Sequence, residues 1–339
     1  MRILKKVLCI LIILSMLLFS GCKKVETPTE QNDSTEFDTA SVNTSLIHGF
    51  PSGLWFMLST AIAESLNRSY SESLIQTLPG ESTENLYRLE NSSAEFALTH
   101  SSSAYGAVNG IGSFEKQFTN LSGICVFYPS AAQLVVKKKV GATSFSDFIE
   151  NKIPLRISIG VDPSTANTAF SFILAEYGLT VKDLEDWGCK IYLKNMSDSG
   201  ELFNDGLIDG IFVQAGAPTN AVVQMAINTD MVMLNIDDEI ITAMSEKYGY
   251  GLATISADDY SFVTEDTPTF VTYTILAAAA DTSDETAYKM AKSLHENLDY
   301  ISTVHGALKR ISPEVLVIYP GIPLHPGAEK YYRETGLID

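Results

Sequence analysis

Small polar residues gather at five places where a predicted strand is followed by a predicted helix. A helix N-terminus offers free N–H groups and a partial positive charge, which suits a carboxylate or another small anion without a nearby Arg or Lys. Because the carboxyl ends of strands in a doubly wound sheet face one crevice, the five loops predict a binding site for a small ligand. The loops are His48-Gly49-Phe50-Pro51-Ser52-Gly53, Gly80-Glu81-Ser82-Thr83, His100-Ser101-Ser102-Ser103, Asp162-Pro163-Ser164-Thr165 and Val213-Gln214-Ala215-Gly216-Ala217-Pro218.

The same loops have a purely structural interpretation. Ser52, Ser82 and Ser164 stand where a helix N-cap would stand, and for any single loop capping alone is the simpler explanation. Five such loops at equivalent places in the topology favour a shared crevice. Phe50 in the first loop is the best aromatic candidate for ligand contact, and Tyr128 is a second.

Catalytic and metal sites have weaker support in the sequence. Serines 101–103 follow a predicted strand and five histidines occur in the chain, which invites a Ser-His-Asp interpretation. No G-x-S-x-G, P-loop, H-E-x-x-H or EF-hand pattern accompanies them, and no Cys/His spacing fits zinc. We therefore predict that the protein is not an enzyme and uses neither a cofactor nor a metal. His100, among serines at a strand end, is the histidine whose protonation we expect to affect binding.

The elements that must position these loops alternate between short apolar runs and amphipathic stretches. The alternation starts again after about residue 150, and 339 residues exceed what one hydrophobic core usually serves. Two α/β lobes with mainly parallel sheets are therefore expected. The predicted strands are 46–47, 73–76, 95–98, 121–127, 132–136, 155–159, 190–193, 208–213, 231–234 and 271–279, and the predicted helices include 83–91 and 285–302.

Composition excludes two classes of protein. Hydrophobic residues make up 45% and charged residues 19% of the chain, which is too apolar for a disordered protein. With 23 basic and 41 acidic residues the net charge is −18, so no nucleic-acid partner is expected. Any positive potential for an anionic ligand must be local, from helix N-termini or from Arg88 or Arg156.

The first 43 residues are predicted to lie outside the fold. Residues 1–21 combine three basic residues with an apolar run, which predicts a signal peptide. The small residues before Cys22 are typical of a bacterial lipobox. An ordinary signal peptide with an incidental cysteine is the alternative. Residues 22–43 are then a flexible tether, because their polar composition cannot bury a core. After processing, 20 basic and 41 acidic residues give a net charge of −21.

Two cysteines remain in the body of the chain. Cys125 and Cys189 both lie in apolar surroundings. A disulfide is possible outside the cell, but two buried thiols on separate lobes are the preferred interpretation.

Three stretches, in this order, resemble the TAXI family, the extracytoplasmic solute receptors of tripartite TRAP-type transporters. The resemblance covers roughly residues 44–339, and its most specific element is the C-terminal HPGAEKYY. The stretches are Gly80-Glu81-Ser82-Thr83-Glu84-Asn85-Leu86, residues 208–218 (IDGIFVQAGAP) and residues 323–332 (PLHPGAEKYY).

The resemblance implies a type II periplasmic binding-protein fold. Two doubly wound α/β lobes, joined by crossing strands, would close around a small organic anion or an amino acid such as glutamate. Lobe one would comprise residues 44–135 and 266–339, and lobe two residues 136–265. The expected ligand-binding residues are Phe50, Ser52, Ser82, Thr83, Ser101 and Tyr128 from lobe one, and Ser164, Thr165, Asn167, Gln214 and Gly216 from lobe two.

The chain departs from the family pattern in three ligand-facing loops. Glu81 stands where the family has a second Gly, His100 and Ser102 stand where it has Gln and Asp, and residues 163–166 replace its Gly-Ser-Gly-Thr. Glu81 would repel a carboxylate and would favour a ligand with an amino group. The identity of the ligand therefore does not follow from the resemblance.

The sequence thus predicts an extracytoplasmic receptor, anchored to the membrane by lipid at Cys22. It would capture a small anionic or zwitterionic solute and deliver it to the membrane subunits of a TRAP-type permease. Two alternatives stay open: a receptor of the same fold that serves another transporter or a sensor, and a surface lipoprotein with an interaction role.

Overall fold

The computed structural model describes residues 40–49 and 53–339. The predicted signal peptide, the lipidation site at Cys22, nearly all of the predicted tether, and the ligand candidates Phe50 and Ser52 lie outside the described residues. None of the helices in the described part is long and apolar enough to span a bilayer.

Ten strands within these residues form one mixed sheet. Its order is β2-β1-β3-β10-β4-β7-β5-β6, with β8 paired to β4 and β9 paired to β10. The pairs β1–β2, β1–β3, β5–β6 and β5–β7 are parallel. The strands are β1 Asn43–Ile47, β2 Leu74–Leu78, β3 Phe96–His100, β4 Leu121–Lys137, β5 Arg156–Ser158, β6 Lys190–Tyr192, β7 Gly210–Ala215, β8 Met231–Met233, β9 Gly251–Ile255 and β10 Thr267–Ala279.

Helices connect most of these strands, as the amphipathic stretches of the sequence predict. In the described part they are α1 Leu54–Ser69, α2 Ser82–Glu90, α3 Ser101–Asn109, α4 Phe145–Glu150, α5 Thr165–Glu176, α6 Val181–Asp186, α7 Met196–Asn204, α8 Asn220–Ala226, α9 Asp238–Tyr248, α10 Asp284–Glu296, α11 Leu298–Val304, α12 Pro313–Leu316 and α13 Pro326–Glu334.

Two long antiparallel strands run through the centre of the sheet. β4 pairs with β10 from Leu121 to Ala131, and from Ala131 onward its other edge pairs with β7. The sequence predicts two strands here, 121–127 and 132–136, but the structure has one. The prediction was wrong because Pro129, which often ends a strand, keeps its place opposite Tyr273 in the ladder.

The helix predicted over 285–302 is also divided differently in the structure. It consists of α10 and α11, which are separated at Asn297, where φ is −114° and ψ is 22°. The side chain of Asn297 donates to the carbonyl of Ser293 (2.8 Å). This hydrogen bond occupies a carbonyl group at the end of α10, as side chains of this type often do at helix ends.

The hydrophobic core is divided along the two long strands. Two clusters of buried side chains draw on residues 42–127 and 275–332, and two others draw on residues 131–271. The core therefore changes within β4 and again within β10, so that these strands carry the chain between two α/β lobes. The lobe bounds 44–135, 136–265 and 266–339 stay a prediction.

The C-terminal HPGAEKYY stretch is packed into lobe one. His325 is fully buried and its Nε2 lies 2.9 Å from the carbonyl oxygen of Thr282. A Cβ atom on Gly327 would lie 2.0 Å from the carbonyl oxygen of Asp284, so only glycine fits. The hydroxyl of the fully buried Tyr332 donates to the Ile124 carbonyl on β4 (3.1 Å). These contacts fix the tail against the central strands.

Cys125 and Cys189 are free thiols, both buried, and they belong to different core clusters. The prediction of two buried thiols on separate lobes is confirmed. Burial raises the pKa of both thiols, so neither is an activated nucleophile.

Candidate functional site

A cavity of about 590 Å³ lies where strands of both lobes end and helices begin. Its wall takes residues from the ends of β1 and β3, from the N-termini of α1, α2 and α5, and from the segment that follows α9. Its volume is in the range of small-molecule sites. Four of the five predicted loops meet here, and the fifth, residues 213–218, contributes Gln214 to an adjoining cavity of about 180 Å³.

Ser82 and Thr83 lie on the lobe-one wall. The N-cap of α2 is Glu81, whose side chain makes no capping hydrogen bond, so Ser82 is the first residue of the helix rather than its cap. Its hydroxyl lies 2.9 Å from Thr99 Oγ1 and 3.2 Å from His100 Nδ1. Ser82 therefore links α2 to the end of β3 while it faces the cavity.

Ser164 and Thr165 lie opposite, on the lobe-two wall. Ser164 is the N-cap of α5, and its hydroxyl accepts from the backbone N–H of Asn167 (3.2 Å). Ser164 therefore both caps α5 and lines the cavity. Asn167 does not line the cavity, although Thr165 and Thr168 on either side of it do, and it contributes the N–H that the cap uses.

His100 lines the cavity beneath Trp55. The ring centroids lie 4.8 Å apart, and the indole N–H of Trp55 is shared between the Tyr128 hydroxyl (3.1 Å) and Thr274 Oγ1 (3.2 Å). Burial lowers the pKa of His100 from 6.5 to about 4, so its imidazole is neutral at neutral pH. Tyr128 lies behind Trp55 rather than on the cavity wall, and it supports the wall through this hydrogen bond.

Ser101 and Ser102 converge on Thr272 of β10. Thr272 Oγ1 accepts from the backbone N–H of Ser102 (3.1 Å) and from its hydroxyl (2.8 Å), and it lies 3.2 Å from Ser101 Oγ. Ser101 also accepts from the N–H of Tyr273 (2.9 Å). Ser102 reaches the cavity wall, whereas the hydroxyl of Ser101 is buried beneath it in these interactions.

Gln214 lines the smaller cavity, which shares Val161, Ser164 and Thr165 with the larger one. Both polar atoms of its side-chain amide are buried and have no partner in hydrogen-bonding geometry among the described residues, although the hydroxyl of Tyr250 lies near them. An unpaired buried amide is costly, and a ligand group or an ordered water would satisfy it. Gly216, two residues on, lines neither cavity.

The cavity wall is poor in charge. Of the described residues that line it, Glu81 is the one carboxylic acid, and none is Lys or Arg. Glu81 is exposed overall, but partial desolvation of its carboxyl group, together with the nearby Glu84, raises its pKa. The sequence suggests Arg88 or Arg156 as sources of positive potential, and this was wrong. Each is held in an ion pair outside the wall, Arg88 with Glu84 (2.6 Å) and Arg156 with Asp209 (2.7 Å).

An apolar wall completes the cavity, and none of its residues is among the contacts predicted from the sequence. It includes Ile111, Phe114, Val161 and Phe172, and the Phe172 ring stacks on Tyr248 with centroids 4.0 Å apart. These residues belong to stretches whose pattern also fits an ordinary core. No sequence signal separates a side chain that faces a cavity from one that packs inside a lobe.

No group of three or more His, Cys, Asp or Glu residues in the part of the chain that the structure describes is arranged to hold a metal ion. The two adjoining cavities together instead offer hydroxyl groups, the Gln214 amide, the N-termini of α2 and α5, the Glu81 carboxylate, the Lys194 ammonium group and an apolar surface. Such a set can bind and orient a small organic molecule.

Comparisons with known proteins agree with this geometry. The model of the NMT1-like family matches residues 48–336. Among solved structures, PhnD1 from Prochlorococcus marinus in complex with methylphosphonate is 12% identical, with a TM-score of 0.50 over 87% of this chain and 99% of that one. MatC from Rhodopseudomonas palustris with bound malate is 11% identical, with a TM-score of 0.50 over 88% of this chain and 99% of that one.

A third structure is the periplasmic aliphatic sulphonate binding protein SsuA from Escherichia coli. It is 11% identical, with a TM-score of 0.45 over 87% of this chain and 84% of that one. At these identities the likenesses to PhnD1 and MatC concern the fold alone. The α/β fold predicted from the sequence, that of type II periplasmic binding proteins with two lobes around a cleft, is confirmed.

Proposed function

This chain belongs to the NMT1-like family, and from that premise we propose that it is an extracytoplasmic solute-binding protein for a small anionic or zwitterionic solute. The observation that carries the proposal is the cavity of about 590 Å³, whose wall takes strand ends and helix N-termini from both lobes. The fold likeness to PhnD1 with methylphosphonate and to MatC with malate supports a ligand of this size.

Binding would work by closure of the two lobes. Ser82 and Thr83 lie on one wall and Ser164 and Thr165 on the other, so a ligand that touches both stabilises only the closed arrangement. Gln214 would add its unpaired amide to the ligand from the adjoining cavity. We retain the lobe bounds 44–135 with 266–339 for lobe one and 136–265 for lobe two as part of this proposal.

The remaining predicted ligand contacts have different roles in the proposed binding function. We propose that Phe50 and Ser52 reach the ligand from the first loop. Ser101, Tyr128, Asn167 and Gly216 would act on the wall from behind or only on closure, because none of them lines the cavity. No catalytic step is proposed: the hydroxyl of Ser101 is engaged by β10, and His100 contacts Trp55 and Ser82.

The finer assignment follows the resemblance to the TAXI receptors. The protein would be held at the membrane by lipid on Cys22, through the tether 22–43, and would present its solute to the membrane subunits of a TRAP-type permease. Globomycin treatment of expressing cells tests the anchor. Accumulation of the unprocessed precursor is expected, and processing that continues unchanged would contradict lipidation.

A thermal-shift screen of amino acids and dicarboxylates tests the binding function. A ligand present at 100 times its dissociation constant stabilises the folded state by about 2.7 kcal/mol, which gives a clear rise in melting temperature. Thr165→Val should reduce the shift, since the valine removes a hydroxyl from the wall. Thr303→Val, a change outside the cavity, is the matched control. A folded protein that no compound of either class stabilises would contradict the proposal.

A further inference from the structure

Glu81 is an unusual residue for the wall of an anion receptor. It lines the cavity at the start of α2, it is exposed there, and no ion pair reaches it within residues 40–49 and 53–339. The nearest charged group that influences it is another carboxylate, that of Glu84. An unpaired carboxylate on a cleft wall attracts a cationic group and repels a second carboxylate once closure removes water.

The rest of the wall cannot compensate a ligand with two negative charges. No Lys or Arg lies among the described residues of the cavity of about 590 Å³, Arg88 and Arg156 are held in ion pairs elsewhere, and Lys194 lines only the adjoining cavity. The hydroxyl groups and helix N-termini of this wall can bind one carboxylate. A second carboxylate held within the same cavity would be desolvated without a cationic partner, which is costly.

The apolar wall adds a requirement on the body of the ligand. Ile111, Phe114, Val161 and Phe172 face the cavity, and a small polar solute would leave these surfaces in contact with trapped water. A ligand with an apolar side chain covers them, and each Å² of apolar surface removed from water contributes about 25 cal/mol.

Resting on the proposed function, we propose that the cavity selects a zwitterionic amino compound with an apolar side chain. Its ammonium group would lie beside Glu81, and its side chain would lie against Phe114 and Phe172. Glu81 is then a specificity-determining residue, and a dicarboxylate held in the same cavity is disfavoured relative to the zwitterion. The raised pKa of Glu81 agrees with this arrangement, because a carboxylate in that position gains from a cationic neighbour.

Isothermal titration calorimetry on the full chain in detergent tests the inference with four probes: L-leucine, isocaproate (leucine without its amino group), L-glutamate and glutarate. We expect L-leucine to bind at least about tenfold more tightly than the other three, the factor that a single charge-assisted contact provides. Glu81→Gln should weaken L-leucine binding by about 10- to 100-fold and should leave isocaproate unchanged or bound more tightly.

Glu84→Gln is the matched control, since Glu84 is on the same helix, pairs with Arg88 and does not line the cavity. It should leave L-leucine binding within about twofold of the original, with circular dichroism to show that both variants fold. Tighter binding of glutarate than of L-leucine, or a loss of less than about threefold in Glu81→Gln, overturns this inference and leaves the proposed function intact. Failure of every probe to bind the folded protein also overturns this inference, whereas the proposed function is overturned only if the wider thermal-shift screen finds no ligand either.

Discussion

Burial of His100 should make stability depend on pH between about 6.5 and about 4. In the unfolded chain this imidazole takes up a proton as the pH falls below 6.5, whereas in the folded protein it stays neutral until about pH 4. The unfolded state therefore binds more protons in this window, so the free energy of unfolding falls as the pH falls. Below about pH 4 both states are protonated and the loss is complete.

The size of the effect follows from the same two values. Each tenfold difference in proton affinity corresponds to about 1.36 kcal/mol, so the interval from 6.5 to about 4 sets an upper limit of roughly 3 kcal/mol. At pH 4.5 the protein has already lost most of this stabilisation, about 2 kcal/mol of unfolding free energy. For a domain of marginal stability this is a large fraction of the total.

Urea denaturation at pH 7 and pH 4.5 measures this change in the free energy of unfolding, in the original protein and in His100→Asn. Asparagine is chosen because its amide can still approach the Ser82 hydroxyl, which lies 3.2 Å from His100 Nδ1. The difference in unfolding free energy between the two pH values should be smaller in the variant by about 2 kcal/mol.

Carboxylates elsewhere titrate in the same range, but they are common to both proteins and cancel in the comparison. His305→Asn, a change at an exposed histidine outside the cavity, controls for the loss of an imidazole as such. Equal losses of stability in the original and in His100→Asn would show that burial does not hold this imidazole neutral.

Two further predictions concern packing. Gly249→Ala should lower stability by about 2–3 kcal/mol, because φ is +71° there and the new Cβ would lie 2.2 Å from the ring of Tyr105. The control is Gly178→Ala, where φ is +70° and the surrounding space is open, and it should cost only about 1 kcal/mol. Equal losses of stability in urea denaturation would refute the clash with Tyr105. Cys125 and Cys189 should resist a thiol reagent in the native protein and react in denaturant, as mass spectrometry of labelled peptides would show; labelling of either under native conditions would contradict their burial.

Much of the fold could be predicted because its signals are local. The helix predicted at 83–91 is α2, Ser82–Glu90, and the strand predicted at 231–234 is β8, Met231–Met233, since apolar periodicity and short polar junctions mark both in the sequence. The errors fall where distant contacts decide. Pro129 predicts the end of a strand, yet β4 continues through Pro129 because its edge is paired with β10 there.

The site shows the same division. Ser82, Thr83, Ser164 and Thr165 lie on the cavity wall because the strand-to-helix junctions of the parallel strands come together in each lobe, which topology alone dictates. Ser101 shows the limit of this reasoning: it occupies such a junction, but its hydroxyl points to β10, a strand 171 residues away from it along the chain. Phe172 and Tyr248 show the opposite limit, because they line the cavity from stretches with the pattern of a core.

The acidity of the chain and the chemistry of its cavity act on a ligand in the same direction. A net charge of −18 gives the protein a negative field that disfavours the approach of a dianion, and the described wall has no cation to offset it on arrival. A zwitterion carries no net charge and so is not repelled at long range. At short range it offers Glu81 an ammonium group, while its carboxylate can use the hydroxyls and N–H groups of the opposite wall. Selection of a zwitterion over a dianion therefore needs no arginine in the site: an acidic surface, one carboxylate and neutral donors suffice.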